Sequence, residues 1–464
     1  MPYKPPLISL LSDRRPDYSS YKSIADSQYA ELTACFEVQN VKVSQEGYKI
    51  SPVNTVFNYR LDPDISYKKV KSLQPELSMA VGCDVSIFSS SEEGHYFSVS
   101  VPRDARSYVG LGQLLSSKEF KESRSPLTIA VGVNEQGGNE VFDLQEAPHL
   151  LISGTTGSGK TVYLDDVILS MLYKASPKMV KLVLIDPSAK DFNVYNGLPH
   201  LLFPVASDKD NIYEVVKYVR NRMDERYRRL ARSGKRNVQT YTGRGSSYFT
   251  RIVVVIDKYM ELTYEMPPDF EECISEIARK GRAAGIHLII NTQTARSEVI
   301  NNGIKANMPY RVAFSVTDWH ESKAILDKTG AQKLLGNGDM LYASGLNSIP
   351  KHIQAPNVTL DEIKRIVANV IERNGQAKYV NDFDDSSEPI EDNVALIREV
   401  LEKLSNMNNV DVSILQNQMN LDYSEATEMI KFLEENGIVS EYEGNKGRTV
   451  DHAEVERMID ELDV

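Results

Sequence analysis

Between residues 148 and 316 the chain repeats one pattern: a short apolar run, then a helical stretch. The runs are "PHLLISG", "VKLVLIDP", "RIVVVID", "IHLIINTQ" and "YRVAFSV". Strands this continuously rich in Val, Ile and Leu have no polar face to show to water, so both of their faces must be covered. Helical crossovers between such strands place them parallel. The pattern predicts an α/β domain built on a parallel sheet with helices on either side.

The remaining sequence divides around this unit. Residues 1–45 form a polar lead-in with one helical stretch, "SIADSQYAELTACFEV". Residues 46–135 mix strand-like runs ("NTVFNYRL", "HYFSVSVP") with the helix-like "SYKKVKSLQPELSMAV", which predicts a small α/β domain. The parallel-sheet domain is expected over 136–372 and a polar linker, "NGQAKYVNDFDDSSEP", within 373–391. Residues 392–464 show three short helical patterns and then "GIVSEYEGNKGRTVD", a strand–turn–strand, as in a winged helix. No apolar run approaches the roughly 20 residues that span a bilayer, and no signal peptide is recognisable, so the expected compartment is the cytoplasm. Cys35, Cys83 and Cys273 lack metal-ligand spacing and read as buried apolar fillers in a reducing compartment. The net charge of −12 argues against nucleic acid only until it is located: residues 388–464 carry −13. The body is close to neutral and leaves room for basic surface.

"GTTGSGKT", Gly154 to Thr161, matches the phosphate-binding pattern G-x-x-x-x-G-K-[ST]. It follows an apolar strand and precedes the helical "VYLDDVILSMLYK", the context the chemistry needs. Backbone N–H groups of Gly154, Thr155, Thr156, Gly157, Ser158 and Gly159 would close around phosphates, aided by the helix N-terminus. Lys160 would reach the β/γ-phosphates of ATP, and the Thr161 hydroxyl would ligate Mg2+. Asp257, ending "RIVVVID", is the natural second Mg2+ partner. Asp186 in "LVLIDP" rivals it by pattern but is followed by Pro187 and lies directly after the phosphate-loop helix.

Five segments together resemble the motor of FtsK/SpoIIIE double-stranded DNA translocases: "APHLLISGTTGSGKT", "LVLIDPSAKDFNVYNGLPHLLFPVASD", "VVVIDKYMEL", "KGRAAGIHLIINTQ" and "GIKANMPYRVAFSV…LLGNGDMLY". The likeness runs from about residue 40 to the C-terminus, where "ATEMIKFLEENGIVS" is similar to the family's winged-helix domain. The resemblance implies a RecA-like P-loop motor that assembles as a homo-hexamer and pumps double-stranded DNA through its channel. It implies a free-standing motor, since the family's usual membrane segments and long linker are missing here. Arg282 falls where the family places an arginine finger acting on a neighbour's γ-phosphate, with a solvated helix charge near Glu276 as the alternative. Gln293 would be a polar sensor of nucleotide and water. Lys305 and Lys323 match basic channel contacts, and Arg296 lies two places from another. Such contacts go to the phosphate backbone, because a motor that moves over any sequence cannot depend on base edges. Trp319 stands where a basic residue is usual, and packing competes there with DNA contact. From Lys217 to Arg251 the chain has 11 basic and two acidic residues, which fit a DNA lining, a solvated helix face or a subunit contact.

Two departures stand out. Lys258 occupies the place of the family's catalytic glutamate, and a lysine cannot orient water as a carboxylate does, a loss of about 10² or more in rate. Glu261, one turn on, is expected to point elsewhere. The expectation is good ATP binding with slow or absent hydrolysis, and its rival is a hydrolysis-defective ring that clamps DNA or regulates a relative. In the winged helix, Glu425 and Glu428 take places that are usually basic, leaving Ser424 and Lys431 as possible DNA contacts and a protein partner as the competing role.

Overall fold

The computed structural model describes residues 3–12, 19–51, 54–89, 95–103, 109–232, 234–238, 249–345, 349–380, 394–419, 421, 423–442 and 447–463. The first unit contains α1 (Lys22–Val38), β1 (Val43–Ile50), β2 (Asn54–Leu61), α2 (Tyr67–Ser72), α3 (Gln74–Val81), β3 (Ser86–Ser89) and β4 (Tyr96–Pro102). Its four strands run antiparallel in the order β1-β2-β4-β3. Tyr59 and Phe97 sit opposite one another on β2 and β4 and stack with ring centroids 5.4 Å apart. Ala25, Tyr29, Leu32 and Phe36, spaced three or four apart, form one stripe of α1 and join the same core. The helix expected in the lead-in thus packs as part of this unit. Cys35 and Cys83 border its core half-buried, whereas Cys273 alone among the three is buried.

The second unit opens with β5 (Val109–Gly110), α4 (Leu111–Leu115), α5 (Lys118–Glu122), β6 (Thr128–Asn134) and β7 (Asn139–Asp143). It continues through β8 (His149–Ser153), α6 (Lys160–Lys174), β9 (Val180–Ile185), α7 (Lys209–Arg232) and β10 (Arg251–Ile256). Then come α8 (Tyr259–Glu265), α9 (Pro268–Ala284), β11 (Ile286–Thr292), α10 (Asn302–Ala306), β12 (Tyr310–Phe314) and α11 (Trp319–Leu326). Last are β13 (Asp339–Ser344), β14 (Lys351–Gln354), β15 (Pro356–Asn357) and α12 (Leu360–Asn374). Nine strands form one sheet in the order β7-β6-β14-β13-β12-β8-β11-β10-β9. The five apolar runs are the parallel part, β12-β8-β11-β10-β9. The others extend it antiparallel, so a boundary at 135 would cut between β6 and β7 of one sheet.

Successive residues of each parallel strand enter different cores, as a sheet covered on both faces requires. Val253 and Val255 of β10 pack on the side of Leu164, Ile168 and Leu172 of α6 and Ile363 and Ile366 of α12. Ile252, Val254 and Ile256 pack on the other side with Val215 and Val219 of α7 and Ile274 and Ile277 of α9. Residues 3–12 lie along this unit: the Tyr3 hydroxyl donates to Leu172 O at 2.7 Å, and the Ser12 N–H to Glu362 Oε1 at 2.8 Å. Part of the expected linker also adheres to it, since Ala377 N–H donates to Gly197 O and Val380 N–H to Leu202 O, each at 2.9 Å. Residues 381–391 of that linker lie outside the described residues.

The tail comprises α13 (Val394–Leu404), β16 (Asn409–Val410), α14 (Val412–Met419), α15 (Tyr423–Glu435), β17 (Arg448–Thr449) and α16 (His452–Asp463). Val400, Leu404, Leu415, Met429 and Leu433 build its own core, which α16 completes through Val455. The β17 strand pairs antiparallel with β16, and Val439 bridges to Val450. Three helices with a small sheet are the winged-helix pattern expected, with α16 added.

Candidate nucleotide site

The sheet order decides which side chains meet. Because β11 is inserted between β8 and β10, polar residues at the end of β11 stand between the loop that follows β8 and the acid that follows β10. The loop after β8 is the glycine-rich stretch. A Cβ on Gly154 would fall 2.7 Å from Phe314 Cβ, and one on Gly159 would fall 2.8 Å from Gly338 N, with Gly159 at φ +112° besides. Neither position has room for a side chain. Two strands' ends hold the loop: Thr155 N–H donates to Ser315 O at 2.8 Å and Gly338 N–H to Ser158 O at 3.0 Å. Thr156 and Gly157 are exposed at its crest, and Thr161 is half-buried. Lys160 opens α6, and its Nζ donates to Gly154 O and Thr155 O, both at 2.7 Å. Burial lowers its pKa to about 8, and the charge of Asp257 opposes that shift.

Asp257 is 0% exposed. Its Oδ1 accepts from Asn291 Nδ2 at 2.5 Å and from the Lys258 N–H at 2.8 Å, while the buried Oδ2 has no hydrogen-bond partner. Burial raises its pKa, and the Asn291 bond pulls the other way. An orphaned carboxylate oxygen on an acid whose charge acts on Lys160, the neighbour of Thr161, fits a divalent cation with oxygen ligands.

Asp186 answers to a different task. Its carboxylate accepts from the N–H groups of Ser188, Lys190, Asp191 and Phe192 and from the Ser188 hydroxyl, holding the turn after β9. Burial opposes its ionisation, yet these bonds and Lys258 hold its pKa below the ordinary value. That turn carries Asp191 back to the site. Asp186, Asp191 and Asp257 each offer an oxygen within 4.8 Å of the others. Lys258 enters this group in the left-handed conformation, at φ +52°. Its Nζ donates to Asp191 Oδ2 at 2.7 Å and to Ser188 Oγ at 2.5 Å, and lies 3.9 Å from Asp186 Oδ1. Burial disfavours its charge, but Asp191, Asp257 and Asp186 outweigh this and raise its pKa. A fourth acid, Asp165 of α6, accepts from the Tyr195 hydroxyl at 2.7 Å. Burial, with the charges of Asp191 and Asp257 added, pushes its pKa up to about 7.

Gln293 is exposed just beyond β11, and Glu261 is exposed on α8. Arg282 is exposed in the last turn of α9. Glu276 pairs instead with Lys280 at 3.1 Å and with Arg220 and Arg279 at 3.6 Å. Of the expected DNA contacts, Lys323 is exposed, and Arg296 is exposed but bound to Glu321 at 2.6 Å. Lys305 is largely covered and 3.6 Å from Asp327, so it is less available than a free channel lysine. Trp319 is 47% exposed and stacks on His320 with ring centroids 3.5 Å apart, so it is not a core residue. In the basic stretch, Arg226 is buried and donates to Ala284 O and Thr250 O, and residues 239–248 lie outside the described residues. On α15, Lys431 is exposed and 3.8 Å from Glu435, while the side chains of Ser424 and Glu425 lie outside the described residues.

Asn291 and Asp191 are the residues at this site that motif reading passes over. A lone buried asparagine in "IHLIINT" was the available signal for the first. For the second there was none, because only the Asp186 turn brings it back.

A glycine-rich loop between strand and helix, with a buried acid two strands away, defines a P-loop nucleotide-binding fold. The comparisons narrow that class. The FtsK/SpoIIIE family model matches residues 111–297, and the Ftsk gamma domain model matches residues 391–452. The chain belongs to the FtsK/SpoIIIE family. It is 32% identical over 454 residues to the DNA translocase FtsK of Caldanaerobacter subterraneus subsp. tengcongensis, covering 97% of this chain and 64% of that protein. To the DNA translocase SpoIIIE of Bacillus subtilis it is 33% identical, over 97% of this chain and 59% of that one. The chain thus spans about three fifths of the length of these relatives. Among solved structures, the pCW3 conjugation coupling protein TcpA aligns with 24% identity and a TM-score of 0.49, over 74% of this chain and 99% of that one. Among the described residues, no helix is long and apolar enough to cross a membrane.

Proposed function

We propose that this chain is an ATP-dependent motor that translocates double-stranded DNA in the cytoplasm as a homo-hexameric ring. One observation carries the nucleotide part: the partnerless buried oxygen of Asp257 beside the loop that Lys160 and Thr161 close. Lys160 would leave the loop carbonyls for the phosphate oxygens, which compensate its charge better than two carbonyl dipoles do. Thr161 and Asp257 would hold Mg2+, which neutralises charge on the phosphates when bound. Arg282, exposed near the end of α9, is free to reach a neighbour's nucleotide as a finger, and Gln293 to sense it. DNA would meet Lys323, Arg296 and, less directly, Lys305, through its phosphates.

A second reading, an ATP-binding ring that clamps DNA without turnover, draws on Lys258 standing where the family has a glutamate. Steady-state ATP hydrolysis with and without duplex DNA separates the two. Turnover stimulated by DNA supports the motor; ATP binding with no turnover under either condition supports the clamp. For the tail, Lys431 paired with Glu435 among acidic neighbours favours a protein partner over DNA. A gel-shift comparison of the chain with and without residues 394–464 tests that assignment.

A further inference from the structure

Lys258 has so far figured as a loss. Its surroundings give it a task. The ammonium sits between carboxylates that would otherwise repel one another: Asp191 at 2.7 Å and Asp186 at 3.9 Å. Of the three clustered acids, Asp186 is spent on its turn. Asp257 faces the cluster with one oxygen bonded and the other, fully buried, unpartnered. Asp191 differs from both. Its side chain is 30% exposed, and Lys258 is bonded to one of its oxygens, Oδ2. A carboxylate has about four acceptor sites, so Asp191 keeps capacity for a cation or a water beside Asp257.

We propose that the charges of this site are exchanged: Asp191, held in place by Lys258, supplies the carboxylate that serves the metal and the attacking water where the family uses a glutamate at 258. Asp191 is then a catalytic residue and Lys258 a positioning residue. In the hydrolytic step the water oxygen bonds the terminal phosphorus as the bond from phosphorus to the bridging oxygen breaks. ADP departs with that electron pair, and one water proton passes to the Asp191 carboxylate and on to solvent. This rests on the nucleotide-hydrolysing function above.

Lys258→Glu alone does not repair the site, because it removes the cation and sets a further carboxylate against Asp191 and Asp186. The test uses the full chain with duplex DNA, and reads kcat and KM for ATP, Mn2+ affinity in the presence of a non-hydrolysable ATP analogue, and metal-free analogue affinity. Asp191→Asn, nearly isosteric, is expected to lower kcat at least about tenfold and to weaken Mn2+ binding, with metal-free analogue affinity unchanged. Lys258→Glu is expected to lower kcat as well. The double exchange Asp191→Lys with Lys258→Glu is expected to recover hydrolysis relative to either single change, which a merely structural ion pair would not do. Unchanged kcat and Mn2+ affinity in Asp191→Asn overturns the proposal, as does a rise in kcat from Lys258→Glu alone. An unaltered chain that binds ATP and never turns it over also overturns it, whereas one that binds no ATP overturns the function beneath it.

Discussion

Asn291 donates from Nδ2 to Oδ1 of Asp257 at 2.5 Å, between the neighbouring parallel strands β11 and β10. With the Lys258 N–H on the same oxygen, this bond fixes the carboxylate of Asp257 and leaves its buried Oδ2 without a partner. Replacing Asn291 by Leu leaves a buried carboxylate short of a donor, which costs about 1–3 kcal/mol. The expected result is a lower urea midpoint together with weaker Mg2+-dependent ATP binding. An unchanged midpoint would show that the bond contributes nothing to holding the acid.

Asp186→Ala tests the division of labour among the acids. It strips a charged acceptor from the N–H groups of Ser188, Lys190, Asp191 and Phe192. Hydrogen bonds to charged groups contribute about 1.5–3 kcal/mol each, so this change is expected to destabilise the fold more than Asp191→Asn does. Equal thermal melting of the two variants would refute the structural role given to Asp186.

The contrast between these acids shows what the sequence could and could not reveal. Strands β8 to β12 were legible because a two-faced apolar strand has one way to be satisfied, and the phosphate loop because its glycines are dictated by Phe314 and Gly338 pressing on it. Lys258 was legible as an anomaly, yet its meaning was not: Asp191 lies 67 positions away and meets it only because the Asp186 turn folds back. The antiparallel extension of the sheet escaped for a similar reason. β6 reads as a member of the small domain until β7 and, from far along the chain, β14 pair with it. Lys305 read as a channel contact because Asp327, which engages it, stands a helix away.

A pH dependence follows from His352 on β14. Its Nε2 meets Asp339 Oδ1 at 2.5 Å and its Nδ1 meets Glu135 Oε1 at 2.8 Å. Burial works against its charge, but the two carboxylates prevail and raise its pKa to about 9. A raised pKa stabilises the fold fully below the unfolded value near 6.5 and stops doing so as pH rises through 9. Up to about 3 kcal/mol is at stake. The melting temperature is expected to fall between pH 7 and 9.5 in the unaltered chain, and this pH dependence is expected to be smaller in His352→Gln. Parallel curves would show that the charge of His352 does not contribute to stability.

Glu362 shows the opposite sign. It caps α12 with Thr359 and also accepts from the Ser12 N–H and hydroxyl. Burial opposes its ionisation, yet these donors lower its pKa to about 2. Its contribution is present above pH 4.5 and is lost as pH falls toward 2. Glu362→Ala is expected to cost about 1–2 kcal/mol through the lost cap and to speed hydrogen exchange at the Ser12 amide. Exchange there at the unaltered rate would mean that residues 3–12 are held by the bonds of Tyr3, Lys4, Pro5 and Leu7 without Glu362.

The phosphate loop is anchored on both sides of its exposed crest. Thr155 is bonded to the strand end at Ser315, Ser158 to the backbone of Gly338, and Gly154 and Gly159 leave no slack against Phe314 and Gly338. Those anchors lie at the end of β12 that leads into α11, with Trp319 and Lys323, and in the turn that enters β13. A gear engages its rack through teeth that cannot slip. A loop seated this way cannot move at Thr155 or Ser158 without breaking those two bonds or taking the ends of β12 and β13 with it.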